Sequence, residues 1–434
     1  MSETRAGALD AAIALGIRVA SAGLVFGLQV LLARLMPAEG YGGFVTLWTW
    51  MLALGSFAAL GFAESSLRFL PRYQLRGRRV AVRQYWRFGL AMVLAVSLLL
   101  GFAAVALGAG MAEGPGQMVL LVGLGLPFLA MEYYLEGVAR SFGWFRLAAV
   151  PVYIVRPILI GLACLGLHAA GTALTLPLVG AVLIGAMAVT AMGVALVLAK
   201  RLHALAPLRK AASPGQRRLW LQASLPLLLL SGLEDLVSHA DILLLTLLAE
   251  PEAVGIYFAA ARSLALAGFV AYAMTLVWGR RFALDLAGKS RAQLQGSILE
   301  ATRLTLWATV LAVAAALAAG PVLLGTFGAE FLAGQGAMWI LGAGMVLRAV
   351  AGQAGEVLIV TGRQREGLLI GLGVLAVTLA LGLVLVPWLG IMGAALASAL
   401  AMAFRTLALV LVLHRTENLR IAAFGLPALG RVAG

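Results

Sequence analysis

About twelve apolar stretches, each near the ~20 residues a helix needs to cross a bilayer core, fill this chain almost end to end. They lie near 10–35, 42–63, 88–109, 118–139, 147–168, 175–199, 219–247, 253–278, 303–326, 336–360, 367–386 and 391–413. A soluble domain carries roughly 25% charged residues. Here 12% of 434 residues are charged and 62% are hydrophobic, too little polar surface to cover a water-facing globule. The short alternating segments of a membrane barrel are absent. The expectation is an all-α integral membrane protein of about 12 transmembrane helices. Ala20-Ser-Ala22 faintly resembles a cleavage site, but the apolar run continues to Leu35, so it reads as a first helix that stays.

The basic residues orient these helices. With the amino terminus inside, Arg68, Arg72, Arg76, Arg78, Arg79, Arg83 and Arg87 fall in one inner segment. Lys200, Arg201, Arg209, Lys210, Arg217 and Arg218 fall in another, and Arg280, Arg281, Lys289, Arg291, Arg363 and Arg365 lie on the same side. The outer loops 36–41, 109–117, 169–174, 248–252, 327–335 and 387–390 contain no Lys or Arg. Positive charge kept to one side marks the cytoplasmic face, so both termini are expected there. The net charge of +14 is then an inner-surface charge facing anionic lipid, and nucleic acid is not an expected partner.

The chain also repeats itself. At an offset of 213, Glu39 matches Glu252, Gly42 matches Gly255, Phe44 matches Tyr257, and Arg68-Phe69 matches Arg281-Phe282. Gly143 and Arg146 match Gly362 and Arg365 at an offset of 219. Such repeats mark two fused half-transporters. Each half holds an even number of spans, so two six-helix lobes related by a pseudo-two-fold axis along the membrane normal are expected. The predicted division is a lobe at 1–199, a basic linker at 200–218, a lobe at 219–414 and a cytoplasmic tail at 415–434.

Four segments carry a family resemblance: "LLARLMPAEGYGGF" followed by "LGFAESSLRFLPRY", "DILLLTLLAEPEAVGIYFAAARSL" beginning at Asp241, "VTGRQREGLL", and "VPWLGIMGAALASALA". With these in order, the chain resembles the multidrug/oligosaccharidyl-lipid/polysaccharide (MOP) exporters, most closely the polysaccharide-biosynthesis and O-antigen flippase branch. The resemblance implies two lobes around a central cavity in a bacterial inner membrane. It also implies alternating access, and movement of a polyprenyl-pyrophosphate-linked glycan, such as a lipopolysaccharide precursor, from the cytoplasmic to the outer leaflet. Expected partners are that lipid-linked glycan and membrane lipids, and could include other polysaccharide-export proteins. A cation-coupled multidrug exporter is the alternative. A membrane-embedded glycan polymerase or ligase is disfavoured, since no outer loop exceeds about a dozen residues. A non-transporting scaffold in an export assembly is a further alternative.

Charges inside the spans are expensive and need partners, water or cargo. Arg18, Arg156, Arg262, Arg348 and Arg405 sit within predicted helices. A guanidinium keeps its charge when buried and offers a planar fork of donors, suited to a pyrophosphate. Substrate binding by these five is the functional expectation; interhelical pairing with carboxylates is the structural one. Glu234, Ser238 and Asp241 lie at i, i+4 and i+7 on one face of helix seven, beside Asp235. Glu234, Asp235, Asp241 and Glu132 are the candidates for a coupling proton or Na+, because desolvated carboxylates shift their pKa readily. Trp48, Trp50, Trp144, Trp278 and Trp388 read as interface anchors. No catalytic residue, metal site or cofactor is expected: the chain has a single cysteine, Cys164, and no Gly-rich phosphate loop ending in Lys-Ser/Thr.

Overall fold

The computed structural model describes residues 2–112, 114–204, 212–269 and 291–417, with single positions 274, 278, 281, 282, 285 and 419. Part of the expected linker, 205–211, and nearly all of the expected tail lie outside the described residues. Every described regular element is helical. Contacts divide the chain into two compact units, Met1–Asp235 and Leu236–Gly434. The division falls inside one continuous helix, so 219–235 packs with the first unit.

In the first unit, α1 (Ser2–Leu35), α2 (Ala38–Ala58), α3 (Phe62–Leu75), α4 (Arg79–Ala109) and α5 (Pro115–Ser141) are followed by α6 (Phe145–Val150). A π-helical turn, Pro151–Val155, joins α6 to α7 (Arg156–Ala169), and α8 (Leu176–His203) precedes α9 (Pro214–Leu248). The second unit holds the end of α9, then α10 (Pro251–Ala265), α11 (Arg291–Ala318) and α12 (Gly320–Phe327). A 3-10 turn, Glu330–Gly334, leads into α13 (Gln335–Ala349), α14 (Ala354–Val360), α15 (Gln364–Leu389) and α16 (Ile391–Glu417).

Among the described residues, eight helical spans are long and apolar enough to cross a membrane, or nine when α2 and α3, bent by 42°, are joined. Helices α1, α9 and α10 stand where the remaining expected spans fall. Helix α4 shows why water is the wrong solvent: Leu98, Leu99, Phe102 and Leu107 are all exposed on it. Such a surface suits hydrocarbon, where the helix satisfies its own backbone.

Several expected spans are broken: 303–326 at Ala319 between α11 and α12, 253–278 after Ala265, and two more. Leu60 and Gly61, both left-handed (φ 55° and 66°), bend α2 into α3. The span expected at 336–360 is interrupted at 350–353, between α13 and α14.

Within each unit the core follows from the spacing of large side chains. In the first, Phe62, Tyr85, Tyr134 and Trp220 are fully buried around α5. Their polar atoms are bonded: Tyr134 donates to the Trp86 carbonyl (2.9 Å) and Trp220 Nε1 to the Tyr73 oxygen (2.9 Å). In the second, Trp278, Phe282, Val374 and Leu413 belong to the packed centre.

The repeat is visible as a shared helix ending. After α5, Gly143 takes φ 71° and the Trp144 amide reaches back to the Ala139 carbonyl (3.0 Å). After α14, Gly362 takes φ 77° and the Arg363 amide reaches the Leu358 carbonyl (3.0 Å). A glycine at the left-handed residue after a helix satisfies carbonyls that the helix leaves open. The opening motif packs alike: Phe44 and Tyr257 are both buried, at 2% and 0% exposure.

Candidate functional site

Three of the polar constellations among the described residues hold expected site residues, and each collects side chains from helices distant in sequence. The first is a buried ion pair. The π-helical turn before α7 adds a residue to the local helical turn, a device found often at functional positions. It is followed directly by Arg156, whose Nη1 donates to Glu132 Oε2 on α5 at 2.5 Å. Thr190 on α8 donates to the other Glu132 oxygen at 2.5 Å. The guanidinium lies over the Trp48 ring, 5.1 Å from its centroid. Trp48 thus carries a cation–π contact inside the unit, beyond its expected part as an interface anchor. Arg156 and Glu132 are 9% and 4% exposed, so two residues expected to act separately neutralise each other.

The second constellation surrounds Asp241 on α9. Tyr257 of α10 donates to Asp241 Oδ2 at 2.6 Å, and Ser398 of α16 donates to the same oxygen at 3.0 Å. The Ile242 amide donates to Oδ1 at 2.8 Å. Two of the resemblance segments therefore meet on one carboxylate: Asp241 and Tyr257 lie in one, Ser398 in the other. Tyr257 and Ser398 were missed as site residues because a tyrosine or serine in an apolar helix carries no signal until its partner is known.

The third is a cavity of about 150 Å³ within the second unit. Its walls include Thr305 and Thr309 of α11, Arg348 of α13, Gln353 and Gly352 of the α13–α14 break, Glu356 of α14 and Arg405 of α16. Among the described residues, neither arginine forms an ion pair, and Glu356 forms none. Thr305 and Thr309 are 2% and 3% exposed, and their hydroxyl oxygens have no hydrogen-bond partner. A buried polar group left unpaired costs about 1–3 kcal/mol, so these two hydroxyls, just beneath the cavity wall, are an unused source of hydrogen bonds. The i, i+4 spacing of two hydroxyls within the otherwise apolar stretch 304–318 was the available sequence signal.

The other expected residues are placed as follows. Arg18 lies in α1, and its side chain is outside the described residues. Arg262, half-buried on α10, sits over Phe258 at 4.8 Å. Glu234 is exposed and Asp235 half-buried where α9 leaves the first unit. Beyond the spans, Arg363 donates to Glu417 (2.9 Å) and Glu366 (3.2 Å), joining the α14–α15 loop to the end of α16. Hydrogen bonds to those carboxylates, Glu417 first, raise the pKa of Arg363 above the ordinary arginine value.

Comparison with known proteins sets these constellations in context. A family model described as polysaccharide biosynthesis protein matches residues 10–279. No curated protein matches the sequence. Among solved structures, the chain is similar to "Lipid II flippase MurJ, inward closed conformation", with a TM-score of 0.72 at 14% identity over 92% of this chain and 87% of that one. It is similar to an inward-facing multidrug resistance MATE family transporter of the MOP superfamily, with a TM-score of 0.68 at 14% identity over 88% and 91%. An outward-facing MATE transporter matches with a TM-score of 0.61 at 16% identity over 92% of each chain.

Proposed function

Because the chain belongs to the polysaccharide biosynthesis protein family, within the MOP superfamily of transporters, we propose that it is a flippase for a lipid-linked glycan. The family and the fold neighbours are transporters rather than enzymes. The finer reading is that it moves a polyprenyl-pyrophosphate-linked oligosaccharide or polysaccharide precursor from the cytoplasmic to the outer leaflet by alternating access. In this reading it resides in a bacterial inner membrane with both termini cytoplasmic, as the loop charges favour. The repeat-based lobes, 1–199 and 219–414, are its two sequence modules.

One observation carries the anionic cargo: the carboxylates Glu132 and Asp241 are matched within the protein, while the cavity cations Arg348 and Arg405 have no ion-pair partner among the described residues. Glu132 is held by Arg156 and Thr190, and Asp241 by two hydroxyls and an amide. Arg348 and Arg405 open on a cavity with no ion pair among the described residues. An exporter of cationic drugs needs the reverse balance. Glu356 in the same cavity is the feature that favours the drug-exporter alternative.

Asp241 is the coupling residue in this proposal. A carboxylate among hydroxyl donors exchanges a proton or small cation without leaving a partner stranded, since hydroxyls both donate and accept. Deletion of the gene, followed by leaflet-resolved measurement of lipid-linked glycan, tests the flippase. Accumulation in the cytoplasmic leaflet with loss of surface polysaccharide is expected. An unchanged distribution in a strain without a second flippase sinks the reading.

A further inference from the structure

We propose that the cavity of the second unit is a subsite for one acidic sugar ring, a pyranose bearing a carboxylate, within the transported glycan. This rests on the lipid-linked glycan reading above and names the part of the cargo that the second unit holds.

Size is one constraint. The cavity measures about 150 Å³, close to the engineered cavity of about 150 Å³ that accepts one benzene molecule. A carboxylated pyranose is larger than benzene, so it seats with one edge on the open side, where Arg348 and Arg405 are exposed; a chain of sugars does not fit.

The wall mixes three hydrogen-bonding types. Arg348 and Arg405 only donate, Glu356 only accepts, and Thr305 and Thr309 do both. A fully ionised phosphate only accepts, and Glu356 beside it would be repelled. Ring hydroxyls donate and accept, so they can use all three kinds of wall. Thr305 and Thr309 stand in the wall with their hydroxyl oxygens buried and unpartnered, so a polar occupant reaches them as those side chains turn toward it.

Charge is another constraint. Two guanidinium groups and one carboxylate leave the wall with one net positive charge. A single carboxylate on the ring neutralises it. A pyrophosphate overshoots, and a cationic drug makes the imbalance worse.

The backbone agrees. At the break, Gly352 takes φ 51° against α11, where an added Cβ would stand 2.7 Å from Thr302 Cα. Irregular backbone at membrane depth is tolerated where it lines a cavity or is buried in protein. Broken helices of this kind form substrate sites in transporters.

The test uses the full chain in lipid nanodiscs and saturation-transfer NMR with methyl α-D-glucuronide, methyl α-D-glucoside and inorganic pyrophosphate. The glucuronide is expected to bind roughly tenfold or more tightly than the glucoside, the margin of a charge-assisted contact. Arg348→Gln and Arg405→Gln should erase that preference. Thr305→Val and Thr309→Val, close in shape to the original, should weaken both sugars while keeping the preference. Equal binding of the two sugars overturns the proposal, as does pyrophosphate binding at Arg348 and Arg405 in preference to the glucuronide. Flipping of lipid-linked glycan in proteoliposomes separates the two levels. Transport without glucuronide preference removes the subsite and leaves the flippase; glucuronide preference without any flipping removes the flippase reading.

Discussion

Arg156 on α7 and Glu132 on α5 form an ion pair at 2.5 Å, 24 residues apart in sequence and almost fully enclosed. Removing one partner leaves the other as an uncompensated buried charge, which destabilises by about 3–5 kcal/mol. Replacing both with apolar residues of similar volume avoids that penalty. Arg156→Ala is therefore expected to lower thermal stability sharply in detergent, and Arg156→Met combined with Glu132→Leu to recover much of it. Additive losses in the double variant would refute the coupling.

Arg348 and Arg405 behave differently, since no ion pair among the described residues holds them. Arg348→Ala and Arg405→Ala are expected to leave the melting temperature within a few degrees. Transport of lipid-linked glycan in proteoliposomes should fall about tenfold or more for each. A large melting shift with normal transport would make them structural.

At Asp241, a charge-assisted hydrogen bond is worth about 1.5–3 kcal/mol. Tyr257→Phe should destabilise the second unit by that order, measured by denaturant or thermal unfolding. Asp241→Asn retains hydrogen-bonding capacity but cannot carry the charge change. It is expected to express normally and to lose the dependence of transport on an imposed proton or Na+ gradient. Gradient-dependent transport in that variant would move the coupling residue elsewhere.

The paired helix endings give a stability test. Gly143→Ala and Gly362→Ala each force a Cβ into the left-handed region (φ 71° and 77°). Each is expected to lower stability by about 1 kcal/mol, read as a modest fall in melting temperature. No change at either would mean that the backbone relaxes out of the shared ending.

Topology can be read with thiol probes, because Cys164 is the single cysteine and is buried. In a Cys164→Ala background, Glu250→Cys should react with an impermeant reagent from outside whole cells. Arg78→Cys should react only after permeabilisation. The opposite pattern would invert the proposed orientation.

How far each constellation could be seen beforehand depends on its range. The glycine endings at Gly143 and Gly362 were legible because one backbone position and its nearest turn suffice to form them. The five arginines were legible as candidates, since any charge in an apolar span stands out. Their division was not: Arg156 is matched internally, whereas Arg348 and Arg405 share a cavity. The break that shapes that cavity was hidden as well, because Gly352 lies inside an expected span and its φ depends on packing against Thr302.

Membrane character, approximate spans and helix endings follow from residue order, because a bilayer requires each helix to satisfy its backbone locally and present apolar surface. Charge neutralisation has no such local rule. Ser398 reaches Asp241 across 157 positions, and Arg348 meets Arg405 only where α13 and α16 line one wall. Packing of distant helices therefore selected which charges within the spans are matched and buried and which, like Arg348 and Arg405, are left exposed at the cavity.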